Sequence, residues 1–139
     1  MDVMDVMDTA SAAHAAALWV GLHLILLLVL SVMVVRLRQK HKVALGDDGI
    51  PELARAIRTF GNATEYVPAG LAGIAVLALA GGSALSIHIV GVLLFAGRLS
   101  HATGLSNSGA ASLPRAIGVI LTWLAYVFAA AALLFYAIA

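Results

Sequence analysis

The sequence predicts an all-α integral membrane protein, built as a four-helix up-and-down bundle. Three observations predict it. Of 139 residues, 63% are hydrophobic and only 11% are charged. The mean hydropathy is +1.04. The apolar residues gather into four long runs separated by polar or glycine-rich breaks. Soluble globular chains carry about 25% charged and about 45–50% apolar residues, so a soluble one-domain enzyme and a disordered chain are both excluded. A net charge of +1, with no strong basic patch beside aromatics, excludes a nucleic-acid module. With no cysteine there is no disulfide, thiolate metal site or cysteine nucleophile. The histidines and carboxylates lack metal-ligand spacing, so no metal is expected. The length suits one domain, residues 1–139.

The first span is expected at about residues 15–36, an apolar run interrupted by His23 and Ser31. At about 1.5 Å per residue it covers roughly 30 Å, one hydrocarbon thickness. The acidic start (Asp2, Asp5, Asp8) and the length of the run argue against a cleaved signal peptide. The small repeat MDVMDVMD reads as a disordered start rather than a functional element. The second span, about 52–80, opens at Pro51 with Glu52 behind it, a combination that suits a helix N-terminus. Pro68 is expected to kink this helix, and Gly81-Gly82-Ser83 to end it. The third span, about 84–103, carries His88, Arg98 and His101, and Gly104 to Gly109 reads as a loop. The fourth, about 114–138, begins at Pro114-Arg115 and holds Trp123, Tyr126 and Tyr136.

All eight Lys and Arg fall on one side of this layout, at the ends of spans one and three and the starts of spans two and four. That side is expected to be cytoplasmic, with both termini on the non-cytoplasmic side. Single histidines have plain structural readings: His23 as a packed core histidine, His88 as interfacial, His14 and His41 as solvent-facing. Asp47, Asp48 and Gly49 read as a solvated turn. The small-residue runs at Ala78–Gly82 and Ala129–Ala132 favour close helix approach and oligomer contacts.

Function is concentrated on the second helix. At about 100° per residue, Arg55, Arg58, Asn62, Glu65 and Tyr66 share an arc of roughly 100°. A carboxylate inside the bilayer costs about 2.5–3.5 kcal/mol on insertion scales, so Glu65 needs partners or a wet cavity. Arg58 lies about 10 Å below it on the same face, a gap read as too long for a direct pair and suited to a ligand between them. The pattern fits a receptor for an extended zwitterion, with arginine for carboxylate and Glu65 for ammonium. An internal ion-pair network is the alternative reading, equally compatible with the residues. Arg98, His101 and Arg115 add positive charge at the same depth, which points to an anionic ligand.

The segment Arg58-Thr-Phe-Gly-Asn62-Ala-Thr-Glu65-Tyr66-Val-Pro68 resembles the signature R-x-x-x-N-x-x-E-Y-x-P of the MAPEG family, membrane-associated proteins of eicosanoid and glutathione metabolism. Gly97-Arg98-Leu99-Ser100-His101-Ala-Thr-Gly104-Leu resembles the family's third-helix signature in its bacterial form, and Arg115-Ala-Ile-Gly118-Val-Ile-Leu-Thr122 the start of its fourth helix. The resemblance runs along nearly the whole chain. It implies a homotrimer in the bacterial inner membrane with glutathione as cofactor, bound between subunits near the cytoplasmic face. Arg58, Asn62, Glu65 and Tyr66 would hold glutathione, joined by Arg55, Arg98 and His101. Arg36 or Arg38 would reach the glycyl carboxylate. Arg115 would be the catalytic residue, favouring the ionised thiol. The activity implied is a glutathione transferase or peroxidase acting on a lipophilic small molecule. The sequence departs from the eukaryotic pattern at His101 and Leu105, at or near positions of glutathione-contacting tyrosines, and at Ala116, where some members have a polar residue. Those departures fit an alternative role, a non-catalytic scaffold or accessory subunit of a larger membrane complex. A small cation transporter is disfavoured by the clustered arginines.

Overall fold

The computed structural model describes residues 3–138, in which four helices run up and down in sequence: α1 (Val3–His41), α2 (Pro51–Leu79), α3 (Ala84–Asn107) and α4 (Leu113–Ile138). Each is long and apolar enough to cross a membrane. Helix α1 packs on α2 and α3, while α4 packs on α3 and α2; among the described residues the backbones of α1 and α4 make no close approach. The inner pair α2 and α3 is therefore flanked on both sides.

Lipid tails are as apolar as leucine, so the hydrophobic effect that drives soluble folding is weak between these helices. Close packing at small residues and hydrogen bonds between helices hold the bundle instead. At the α3–α4 contact, a Cβ added at Gly97 would lie 2.8 Å from Thr122 Oγ1, and one added at Gly118 only 2.6 Å from the Gly97 carbonyl oxygen. The two glycines let the backbones meet. Toward the other end, Trp19 of α1 seats its indole on the bare Cα of Gly91 of α3 and donates Nε1–H to His88 Nδ1 at 3.1 Å. His23, fully buried, donates Nδ1–H to the Trp19 carbonyl at 2.7 Å, consistent with a packed histidine.

The helix ends follow local chemistry. Pro51 starts α2 because its missing N–H would be unpaired there anyway. Gly81 takes φ +83°, a left-handed conformation that suits glycine, while Gly82 N–H returns to the Leu77 carbonyl at 2.8 Å. Ser83 then caps α3 by accepting Ser86 N–H on its hydroxyl at 3.2 Å. Pro68 lies inside α2 without ending it.

Three expectations are corrected. The N-terminal repeat, expected to be disordered, is helical from Val3, and α1 runs on through the alanine-rich stretch Ala10–Ala17, made of strong helix formers, into the span expected at about 15–36. Helix α3 continues through Gly104 to Asn107, because Gly104 packs directly under Arg115 of α4. His41 is partly buried and bonded to Glu52 rather than solvent-facing. The repeat's first two residues lie outside the described region.

Candidate functional site

The polar stripe of α2 separates into an outward and an inward edge. Arg58 and Glu65 form the outward edge, with side chains 64% and 53% exposed. They bond directly, Arg58 Nη1 to Glu65 Oε1 at 3.2 Å. The sequence reading of a gap too long for a direct pair is therefore wrong. Two helical turns separate the Cα atoms by about 10 Å, but the long arginine side chain spans them.

Asn62 joins the two edges. Its Nδ2 donates to Glu65 Oε2 at 3.5 Å, and its Oδ1 accepts from Arg98 Nη1 at 2.8 Å. Arg98, on α3, is 2% exposed. Its Nε donates to Thr122 Oγ1 at 2.9 Å and its Nη2 to the Gly118 carbonyl at 3.3 Å, both on α4. Thr122 completes the link by donating its hydroxyl to the same carbonyl at 2.8 Å. The face of Tyr66 covers the guanidinium, 4.8 Å from its carbon to the ring centroid. Tyr126 fastens that tyrosine from the other side, donating its hydroxyl to the Tyr66 carbonyl at 2.5 Å. Arg98 thus ties three helices together, and among the described residues no carboxylate lies within ion-pair distance of it.

His101 lies one turn further along α3 and is nearly buried. It sits against Gly118, where an added Cβ would come within 2.7 Å of the histidine Cβ. It is thereby held at the α3–α4 crossing, one turn beyond Arg98. Arg115 is turned partly away. Its Nη1 donates to the Ala110 carbonyl at 2.9 Å and to that of Gly109 at 3.3 Å, in the loop before α4.

The remaining arginines are placed apart. Arg55 borders a separate hollow of about 200 Å³ with Met33, Leu37, Glu52 and Ser106, and its buried Nε has no hydrogen-bond partner among the described residues. Arg36 and Arg38 diverge, being two residues and so about 200° apart on α1. Arg38 Nη1 donates to the Gly46 carbonyl at 2.9 Å, whereas Arg36 is exposed. Neither is brought to the α2 stripe within one chain.

Sequence reasoning missed the anchoring parts of this network, namely Thr122, the Gly118 carbonyl and Tyr126. A signal for the first two was present, since Gly118 and Thr122 stand four apart on one face of α4. Nothing in the sequence assigned them to Arg98.

The pattern of the MAPEG family matches residues 16–135, most of the chain. The chain belongs to the MAPEG family. MAPEG membership, together with four helices of spanning length, makes it an integral membrane protein. It is 43% identical over 89 residues to inner membrane protein YecN of Escherichia coli strain K12, covering 64% of this chain and 68% of that protein. The protein of the same name in E. coli O6:H1 strain CFT073 matches to the same extent. In this MAPEG chain, the α2 signature is the segment that carries the Arg58–Asn62–Glu65 array and the Tyr66 face over Arg98.

Proposed function

We propose that this protein is a glutathione-dependent transferase or peroxidase of the bacterial inner membrane, acting on a lipophilic electrophile. One observation carries the reading. Two opposite charges, Arg58 and Glu65, stand more than half exposed on a helix of membrane-spanning length. Charges in that position are not left to lipid, because exposure to hydrocarbon costs kilocalories. A second copy of the chain and a polar ligand cover them, which supports a homotrimer with the site between neighbours.

The residues suit glutathione. It presents an ammonium and two carboxylates along an extended backbone. Glu65 has acceptor capacity beyond its single bond from Arg58 and a long contact from Asn62. Arg58 has further donors for a carboxylate, and Arg55, whose orphaned Nε borders the separate hollow, marks where an extended ligand would continue. Arg36, rather than the loop-tied Arg38, is the arginine that a neighbouring copy would bring to the glycyl carboxylate. His101 supplies a further polar contact. Arg98 acts from behind, fixing Asn62 and Tyr66 while contributing its charge. When bound, glutathione supplies a sulfur nucleophile. Arg115 favours the ionised form of that sulfur once its guanidinium swings from the Gly109 and Ala110 carbonyls. The basic end of the bundle faces the cytoplasm, where a soluble tripeptide enters.

The test is conjugation of glutathione to chlorodinitrobenzene by the protein in liposomes. Arg115→Ala is expected to lower kcat by roughly 10²-fold while leaving glutathione binding within about twofold. Equal, background rates for wild type and variant, with binding intact, would overturn the enzyme reading. They would favour the alternative of a non-catalytic binding or accessory subunit. The bonds that hold Arg115 to its own loop are the observation on that side.

A further inference from the structure

The cationic end of α1 is divided by its hydrogen bonds into two unlike flanks. On one flank, Glu52 takes Lys40 at 2.8 Å and also His41. The other flank carries Arg38 and Lys42, which border a shallow hollow of about 330 Å³ with Val35, Gln39, Val43 and Ala44. No carboxylate reaches either cation within ion-pair distance among the described residues. The nearby acid Asp47 is engaged in its own turn, accepting Gly49 N–H on Oδ1 at 3.0 Å. Lys42 closes the helix in a left-handed conformation, φ +58°, and Val43 N–H returns to the Arg38 carbonyl at 3.1 Å. That turn sets Arg38 and Lys42 on one side, with Arg38 further fixed by the Gly46 carbonyl. Beyond it, in the connection after α1, Leu45 is 90% exposed.

We propose that this hollow is a binding site for the headgroup of an anionic phospholipid. The phosphate lies between Arg38 and Lys42, the first methylenes lie along Val35, and Leu45 dips into the interface. The chemistry selects this occupant. Two unneutralised cations at headgroup depth require an anion, and the aliphatic lining favours one that carries acyl chains over a free ion. The site is separate from the α2 stripe and stands whether or not glutathione binds there. A general attraction of basic residues to the cytoplasmic leaflet follows net charge and would fall as much on loss of Lys40 as on loss of Lys42, whereas the proposed site depends on Arg38 and Lys42 alone.

Native mass spectrometry of the detergent-purified full chain tests the site, with dioleoylphosphatidylglycerol, dioleoylphosphatidylcholine or inorganic phosphate added. Wild type is expected to retain phosphatidylglycerol in preference to phosphatidylcholine by roughly 30-fold, the effect of two cations near a charged surface. Arg38→Gln with Lys42→Gln is expected to erase that preference, and Lys40→Gln to leave it unchanged. Lys42→Gln alone, which keeps the Arg38–Gly46 tie, is expected to lower it about fivefold. An undiminished preference in the folded double variant would overturn the site. An equal loss in Lys40→Gln would show diffuse charge attraction and overturn it too. Competition by inorganic phosphate at the lipid's own concentration would overturn the lipid assignment in favour of a free-anion site.

Discussion

Arg98 is the residue on which most of the site's geometry depends. It is a buried cation whose stabilisation comes from two carbonyl-type oxygens, a hydroxyl and an aromatic face rather than from a counter-ion. Each of those bonds forms where water is scarce, so leaving a partner unmade is costly. Thr122→Val keeps the shape but removes the acceptor of Arg98 Nε and is expected to destabilise the fold by about 1–3 kcal/mol. Thr122→Ser retains the hydroxyl and is expected to lose much less. Denaturation of both variants in mixed micelles, followed by circular dichroism, checks this pair. At the same scale, Asn62→Ala removes the link between Arg98 and Glu65. It is expected to weaken glutathione binding about tenfold while leaving the helix content unchanged, as equilibrium dialysis and circular dichroism would show.

At the scale of elements, α3 and α4 form the closest pair because glycine stands where they cross. A methyl at Gly118 would meet the α3 backbone at two points, Gly97 O and His101 N each at 2.6 Å, so no side-chain rotation relieves it. Gly118→Ala is expected to force the helices apart and cost about 3 kcal/mol or more. Its contact with His101 means that site geometry and stability fall together. Gly73→Ala is the contrasting case, where the added methyl meets only Ala129 Cβ at 3.8 Å. That substitution is expected to be near neutral in the same unfolding measurement. The sequence shows why these elements were legible. Four apolar runs with Pro51 and Pro114 at helix starts and Gly81-Gly82 at a helix end leave little freedom in the layout. The N-terminal extension of α1 and the last turn of α3 were not legible. Ala10–Ala17 is only moderately apolar, and Gly104 reads as a breaker until Arg115 is seen packed against it.

At the scale of the whole molecule, helical periodicity placed Arg58, Asn62, Glu65 and Tyr66 on one arc, and the structure keeps them there. What periodicity does not encode is the radial order within that arc. Arg58 and Glu65 stand outside, while Asn62 is drawn inward by an arginine 36 residues away in sequence. Contacts of that kind depend on how α2, α3 and α4 pack, and single-helix patterns carry no information about it. The bundle buries its arginine clamp and leaves its charged pair exposed on a helix of membrane-spanning length, the surface that the proposed homotrimer would cover. Chemical cross-linking in native membranes is expected to give trimers as the largest abundant species. A predominance of monomers would contradict the account of how Arg58 and Glu65 are covered. The central claim is more directly tested by calorimetric titration of the purified oligomer with glutathione, beside Glu65→Ala. Saturable binding in the wild type, lost by at least about tenfold in the variant, is the result predicted. An intact oligomer that shows no binding heat at millimolar glutathione, or equal binding in the variant, would contradict the assignment of the α2 stripe as a glutathione site.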